Sequence, residues 1–118
     1  MTKHSEIGLK GEQIAAEFLQ KKGYLILYRN WRSGKKEVDI IAHKDDMLVI
    51  AEIKTRSRVQ VGFPEDSVNT KKRNYLRAAA EMFINEYPQY RNIRFDIISV
   101  VMDRGNIKEI VHFEEAFY

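Results

Sequence analysis

With 118 residues, the chain has room for one continuous core and none for a separate substrate or regulatory domain, so any function has to sit on that core. The absence of cysteine excludes a disulfide framework and a thiolate zinc site, and leaves oxygen or imidazole ligands for any metal, a donor set suited to a hard cation such as Mg2+. The formal net charge of +3 is modest, yet residues 29–77 carry 12 Lys/Arg against 7 Asp/Glu while residues 78–118 carry 4 against 7, and a basic centre of this kind suits a polyanionic partner as well as a solvated face.

Neither a signal-peptide core nor an apolar run of about 18 residues is present, which points to the cytoplasm and away from a membrane. No repeat, low-complexity tract or Pro/Gly-rich linker divides the sequence, and the expectation is a single domain over 1–118. The first predicted element is a helix from about Ser5 to Lys22, with Ile14, Ala15, Phe18 and Leu19 on one face and Gly23 as its stop. A strand over Tyr24–Trp31 follows, then a Ser33-Gly34 turn and a buried strand over Glu37–His43. Asp45-Asp46 makes a tight turn into Met47–Thr55, whose unalternating apolar run suits a central strand covered on both faces. A loop from Arg56 to Ser67 leads to a second helix over Thr70–Asn85, with Leu76, Ala79, Ala80 and Phe83 inward, and strands over Arg94–Val101 and Ile107–His112 precede a short acidic and aromatic tail. The order αβββαββ predicts an α/β fold, a mixed sheet flanked by helices.

Alternation places Glu37 with Asp39 on one face of their strand, and Glu52 with Lys54 on one face of the central strand. Glu52 and Lys54 end an apolar run, where unpaired charge costs several kcal/mol, so each wants a partner. A divalent cation on Asp39 and Glu52, with the Ile53 carbonyl as a further donor, satisfies that need and keeps several waters, one of which can attack a phosphate. Lys54 is then placed to stabilise developing charge. The simpler reading, a polar strand end and a sheet-edge Asp39, competes with it, because an acid-x-Lys triplet is common in so charged a chain. Glu12 and Lys72 lie on the apolar faces of the two helices; each is explained equally by a role in the site or by helix-dipole and snorkelling effects.

The run Gly11-Glu12-x-x-Ala15-Ala16-x-Phe18-Leu19, then Asn30-Trp31-Arg32, Glu37-Val38-Asp39-Ile40-Ile41-Ala42, Glu52-Ile53-Lys54-Thr55-Arg56 and Arg94-Phe95-Asp96 resembles the bacterial YraN-like proteins, a family of predicted endonucleases. The resemblance covers about Gly8 to Val101 and implies a restriction-endonuclease-like three-layer core with a PD-(D/E)xK site, related to the archaeal Holliday junction resolvases. Carried over position by position, it makes Asp39 and Glu52 metal ligands, Lys54 the catalytic lysine, Glu12 an accessory acid, Lys72 a helix-borne base or phosphate contact, and Glu37 a supporting residue behind the ligands. Val38 departs from the proline common in the wider superfamily, and Lys36 from the glycine usual in the close family; neither change removes a ligand.

Arg32, Lys36, Arg56, Arg58, Lys71 and Arg73 flank these positions and are the expected phosphate contacts, which position nucleic acid without reading its sequence. In the loop Ser57–Asp66, Phe63 reads first as a buried anchor and second as a stacking residue. Trp31, Tyr24 and Tyr28 read as packing, and His4, His43 and His112 show no ligand spacing. The expectation is an Mg2+- or Mn2+-dependent endonuclease on DNA, branched or structured DNA by analogy with the resolvases. The alternatives are a non-cutting nucleic-acid-binding module acting in DNA repair or uptake, and a protein-interaction domain. A homodimer fits symmetric cutting of two strands, which needs two sites.

Overall fold

A computed structural model describes residues 6–56 and 68–118. The elements are α1 (Glu6–Lys21), β1 (Leu25–Ser33), β2 (Lys36–Lys44), β3 (Met47–Arg56), α2 (Thr70–Glu86), β4 (Asn92–Asp103) and β5 (Asn106–Phe117). This is the expected αβββαββ order. The strands form one mixed sheet in the order β1-β2-β3-β4-β5. Only β3 and β4 run parallel; the other neighbours are antiparallel.

Local chemistry explains the element ends. Gly23, at φ 93°, closes α1 in the left-handed conformation, and the Tyr24 amide donates back to the Leu19 carbonyl. Asp45 and Asp46 both have positive φ, the twist-matched geometry of a two-residue hairpin turn, and set the pair Lys44↔Met47. At the start of α2, Asn69 Oδ1 accepts from the Lys72 amide at 2.9 Å. That cap fixes where the Lys72 side chain leaves the helix.

The sheet is covered on both faces, giving three layers. On one face α2 contributes Leu76, Ala79, Ala80 and Phe83 to a cluster with Trp31, Leu48, Ile50 and Ile97. On the other, α1 contributes Ala15, Ala16 and Leu19 to a cluster with Ile40, Val49, Ala51, Ile98 and Val100. Odd and even residues of β3 thus divide between two cores, which is why its sequence lacks alternation. Trp31 and Tyr24 are buried, and Tyr28 packs edge-on against Phe83, as packing residues.

One expected element needs correction. The acidic and aromatic tail is the second half of β5, which continues to Phe117 rather than ending at His112. Phe117 stacks on Phe95 with ring centres 5.0 Å apart, and Asp96 accepts from the Glu115 amide at 3.1 Å. The tail's aromatic and backbone groups therefore have partners on β4 that lie far from them in sequence. Among the described residues no helix is long and apolar enough to cross a membrane. The loop Ser57–Asp66, including Arg58 and Phe63, and His4 lie outside the described residues.

Candidate functional site

The site forms where β2 leaves β3. Their ladder runs from Lys44↔Met47 to Ile40↔Ala51, whereas β2 stays paired with β1 as far as Lys36. Asp39 and Glu52 are the residues next to the last rung, on strands that have begun to separate. The split gives both carboxylates room at the end of an apolar strand.

Asp39 Oδ2 accepts from the Ile53 amide at 2.8 Å and lies within hydrogen-bonding reach of Glu52. Burial, the neighbouring Glu52 charge and a hydrogen bond with Glu52 push the Asp39 carboxyl up to about 8, against the Ile53 amide, which favours the anion; Glu12 adds a smaller upward push. Three acids are thus electrostatically in contact. Glu12 and Glu52 are both buried. The Ile53 N–H faces Asp39, and in an extended strand the carbonyl of the same residue lies on that same edge.

Two ammonium groups answer the carboxylates. Lys72 Nζ lies 3.2 Å and Lys54 Nζ 3.8 Å from the same oxygen, Glu52 Oε2. Glu52 and Lys54 come from alternate positions of β3, and Lys72 comes from α2. Glu12 arrives from α1, whose backbone at Gly11 lies against Thr55 so closely that an added Cβ would meet Thr55 Oγ1 at 2.0 Å. No side chain other than hydrogen fits there, and the approach carries Glu12 to the end of β3.

Glu37 has partners on β1 and α2. Its Oε2 accepts from Arg32 Nε at 2.7 Å, and its amide donates to Tyr75 Oη at 2.6 Å. Tyr75 was not singled out from the sequence, although it lies one helical turn from Lys72. Its ring carries Lys72 Nζ at 4.7 Å and Lys36 Nζ at 4.9 Å, and so links the basic surface to the site. Arg56 is half-buried and Lys71 is exposed. Arg73 is turned away, with Nε donating to the Val68 carbonyl and its guanidinium over Phe117.

A second buried polar group takes in Arg94 and Asp96, which the family pattern includes without a role. Asp96 accepts from Arg94 Nε and Nη2 at 2.9 and 2.8 Å, contacts His112 Nε2 at 2.6 Å, and binds the Glu115 amide. Burial pushes the Asp96 carboxyl up, but His112 and Arg94 outweigh it and hold the carboxyl below its ordinary value. Every oxygen is satisfied, and the group locks the irregular β4–β5 register between Phe95 and Ile97. Arg94 and Asp96 share one face of β4, two residues apart, which was the available signal; His112 is 16 residues further on.

As to metal, among the described residues no group of three or more His, Asp or Glu side chains is arranged as a ready cage. The donor chemistry fits a hard cation nonetheless. Asp39 and Glu52 are oxygen donors held close together, and a cation between them offsets both the burial and the Glu52 charge that push Asp39 up. With so few protein ligands, water has to fill the remaining positions, the usual arrangement for Mg2+.

The fold and site define a class: a three-layer α/β protein with acids and lysines gathered at a strand split. The model of Uncharacterised protein family UPF0102 matches residues 11–100, and the chain belongs to that family. It is 47% identical over its full length to the UPF0102 protein of Flavobacterium psychrophilum, covering 98% of that protein. Its identity is 42% to UPF0102 proteins of Phocaeicola vulgatus and Bacteroides thetaiotaomicron, with 100% of this chain and 97% of each relative covered. Among solved structures it is similar to Pyrococcus furiosus SfsA in complex with Ca2+, at 15% identity and a TM-score of 0.33, over 86% of this chain and 58% of that one. That likeness is too loose to carry an argument.

Proposed function

We propose that this chain is a divalent-metal-dependent endonuclease that hydrolyses phosphodiester bonds in DNA, with a restriction-endonuclease-like core and a PD-(D/E)xK site. The observation that carries the reading is the meeting of Asp39 and Glu52 at the β2–β3 split with two lysines on Glu52 Oε2. Asp39 and Glu52 would hold Mg2+ or Mn2+. A cation there supplies charge neutralisation at the phosphate and a more acidic water.

The chain's own groups account for the remainder. Lys54 and Lys72, now directed at Glu52, are placed to turn their ammonium groups to a phosphate oxygen that enters beside it. Glu12 adds a negative charge that strengthens the demand for cations. Lys36, Arg56 and Lys71 supply sequence-independent phosphate contacts near the site, and a structured or branched DNA is the substrate class that the resolvase analogy favours.

The absence of a ready cage among the described residues favours a second reading, a nucleic-acid-binding module that does not cut. Calorimetry with Mn2+ and Mg2+ on the wild type, Asp39→Ala and Glu52→Ala, run beside a panel of linear, branched and single-stranded DNA, separates the two. The nuclease reading expects metal binding lost in both variants and metal-dependent cleavage of at least one DNA. DNA binding that ignores metal and Asp39→Ala, without cleavage of any substrate, establishes the second.

A further inference from the structure

Apart from a bulge between Ile26 and Tyr28, the β1–β2 ribbon changes face at one rung. Arg29 Nη1 donates to Gln13 Oε1 on α1 at 2.5 Å, whereas Trp31, two residues on, lies in the α2-side core with its ring 5.4 Å from that of Phe83. In a regular strand these two residues share a face. The same break occurs opposite: Val38 belongs to the α2-side cluster and Ile40 to the α1-side cluster. Pairs Arg29↔Ile40 and Trp31↔Val38 flank the break, so the residues on the irregular rung are Asn30 and Asp39.

Asn30 has φ 53°, a left-handed backbone inside a strand. Asparagine tolerates this conformation better than most residues, but it is uncommon outside turns and costs free energy that the surroundings have to offset. Among the described residues, Asn30 Oδ1 is also buried without a hydrogen-bond partner. A buried carboxamide oxygen without a donor is costly, and such an atom is expected to meet a donor in the working state. Asp39 is the β2 residue that lies between the two flanking pairs.

We propose that Asn30 is a positioning residue of the carboxylate site. Its left-handed backbone rolls the ribbon so that Asp39 is directed toward Ile53 and Glu52, and its buried Oδ1 accepts a hydrogen bond from a water of the hydrated cation. The inference rests on the metal-site reading and adds a neutral, strand-borne acceptor to it. The two parts of the role are separable, because glycine keeps the left-handed backbone without strain and lacks the carboxamide.

The test compares wild type, Asn30→Gly, Asn30→Ala and Asn30→Asp by Mn2+ calorimetry, with thermal unfolding of the metal-free proteins alongside. Asn30→Gly is expected to keep the wild-type melting temperature while its Mn2+ affinity falls by roughly 10-fold or more, the effect of losing a group that supports a metal site from outside. Asn30→Ala, which also strains the backbone, should lose both stability and affinity. Asn30→Asp, which restores an acceptor oxygen, should bind Mn2+ more tightly than Asn30→Gly. Wild-type Mn2+ affinity in Asn30→Gly overturns the inference alone. Absence of Mn2+ binding by the wild type overturns the metal reading, and this inference with it.

Discussion

Gly11 and Thr55 are in direct contact, α1 backbone on β3 side chain, with space for hydrogen only: a Cβ at Gly11 would lie 2.0 Å from Thr55 Oγ1 and 2.7 Å from its Cγ2. The contact lies one residue from Glu12 and three from Glu52, so the helix-to-sheet distance at this point sets how near the two acids come. Gly11→Ala should therefore destabilise the protein by about 1–3 kcal/mol, the range of overpacking, even though alanine is the better helix former by about 1 kcal/mol. Denaturant melts check the sign. Thr55→Ala in the same chain removes the two closest contacts and should recover part of the loss.

Asp39 is a cost to the metal-free fold. Its carboxyl is pushed up to about 8 by burial and by Glu52, so the folded state binds a proton that the unfolded state has released at neutral pH. Stability from this group is then full below the ordinary carboxylate range, declines as pH rises toward 8, and is lost above it. Asp39→Asn should match the wild type near pH 4 and exceed it by several kcal/mol near pH 9. Urea melts at the two pH values, without metal, decide it; a wild type as stable as the variant at pH 9 rejects the assignment.

Lys54 and Lys72 compete with any cation for Glu52 Oε2. Replacing either with Met should lower cleavage by about 100-fold, the scale of losing one charge-stabilising donor, while leaving Mn2+ affinity equal or higher. Single-turnover cleavage and calorimetry on the same samples measure both. Loss of metal binding in both variants would show that the lysines organise the site rather than act on the substrate.

Asp96 should behave as a structural group. Asp96→Asn breaks a buried, fully hydrogen-bonded ion pair and should cost about 3 kcal/mol without altering Mn2+ affinity. Because its folded carboxyl is held below the ordinary value, the stabilisation is present above the ordinary carboxylate range and is lost as pH falls beneath it. Acid titration of wild type and variant followed by circular dichroism tests this; parallel curves would contradict it.

Binding to DNA should fall steeply with salt. Lys71→Ala and Arg56→Ala are each expected to reduce the slope of log K against log salt by about 1, with similar losses on every sequence tested. Fluorescence anisotropy at several salt concentrations gives the slope directly. An unchanged slope removes that residue from the interface.

Much was legible in the linear sequence because its signals are local. Gly23 after an amphipathic helix, Asp45-Asp46 between two strands, and the apolar run before Glu52 each specify backbone within a few residues, and together they define seven elements in the observed order. The family pattern likewise follows from side-chain identity alone. Long-range pairing was not legible. β5 extends to Phe117 because Phe95 and Asp96, about 20 residues earlier in the chain, hold its end. His112 gains its partner in the same way, and Glu37 turns to Arg32 across a hairpin.

The sequence by itself determined the elements, their order and the residue types available for chemistry, since turn chemistry and hydrophobic periodicity act over short range. The tertiary structure alone decided where β2 leaves β3, how closely α1 lies on Thr55, and which strand residue faces Asp39. Those are distances between segments remote in sequence, set by packing and by one left-handed residue, Asn30. They bring Glu12, Asp39, Glu52, Lys54 and Lys72 together from four different elements.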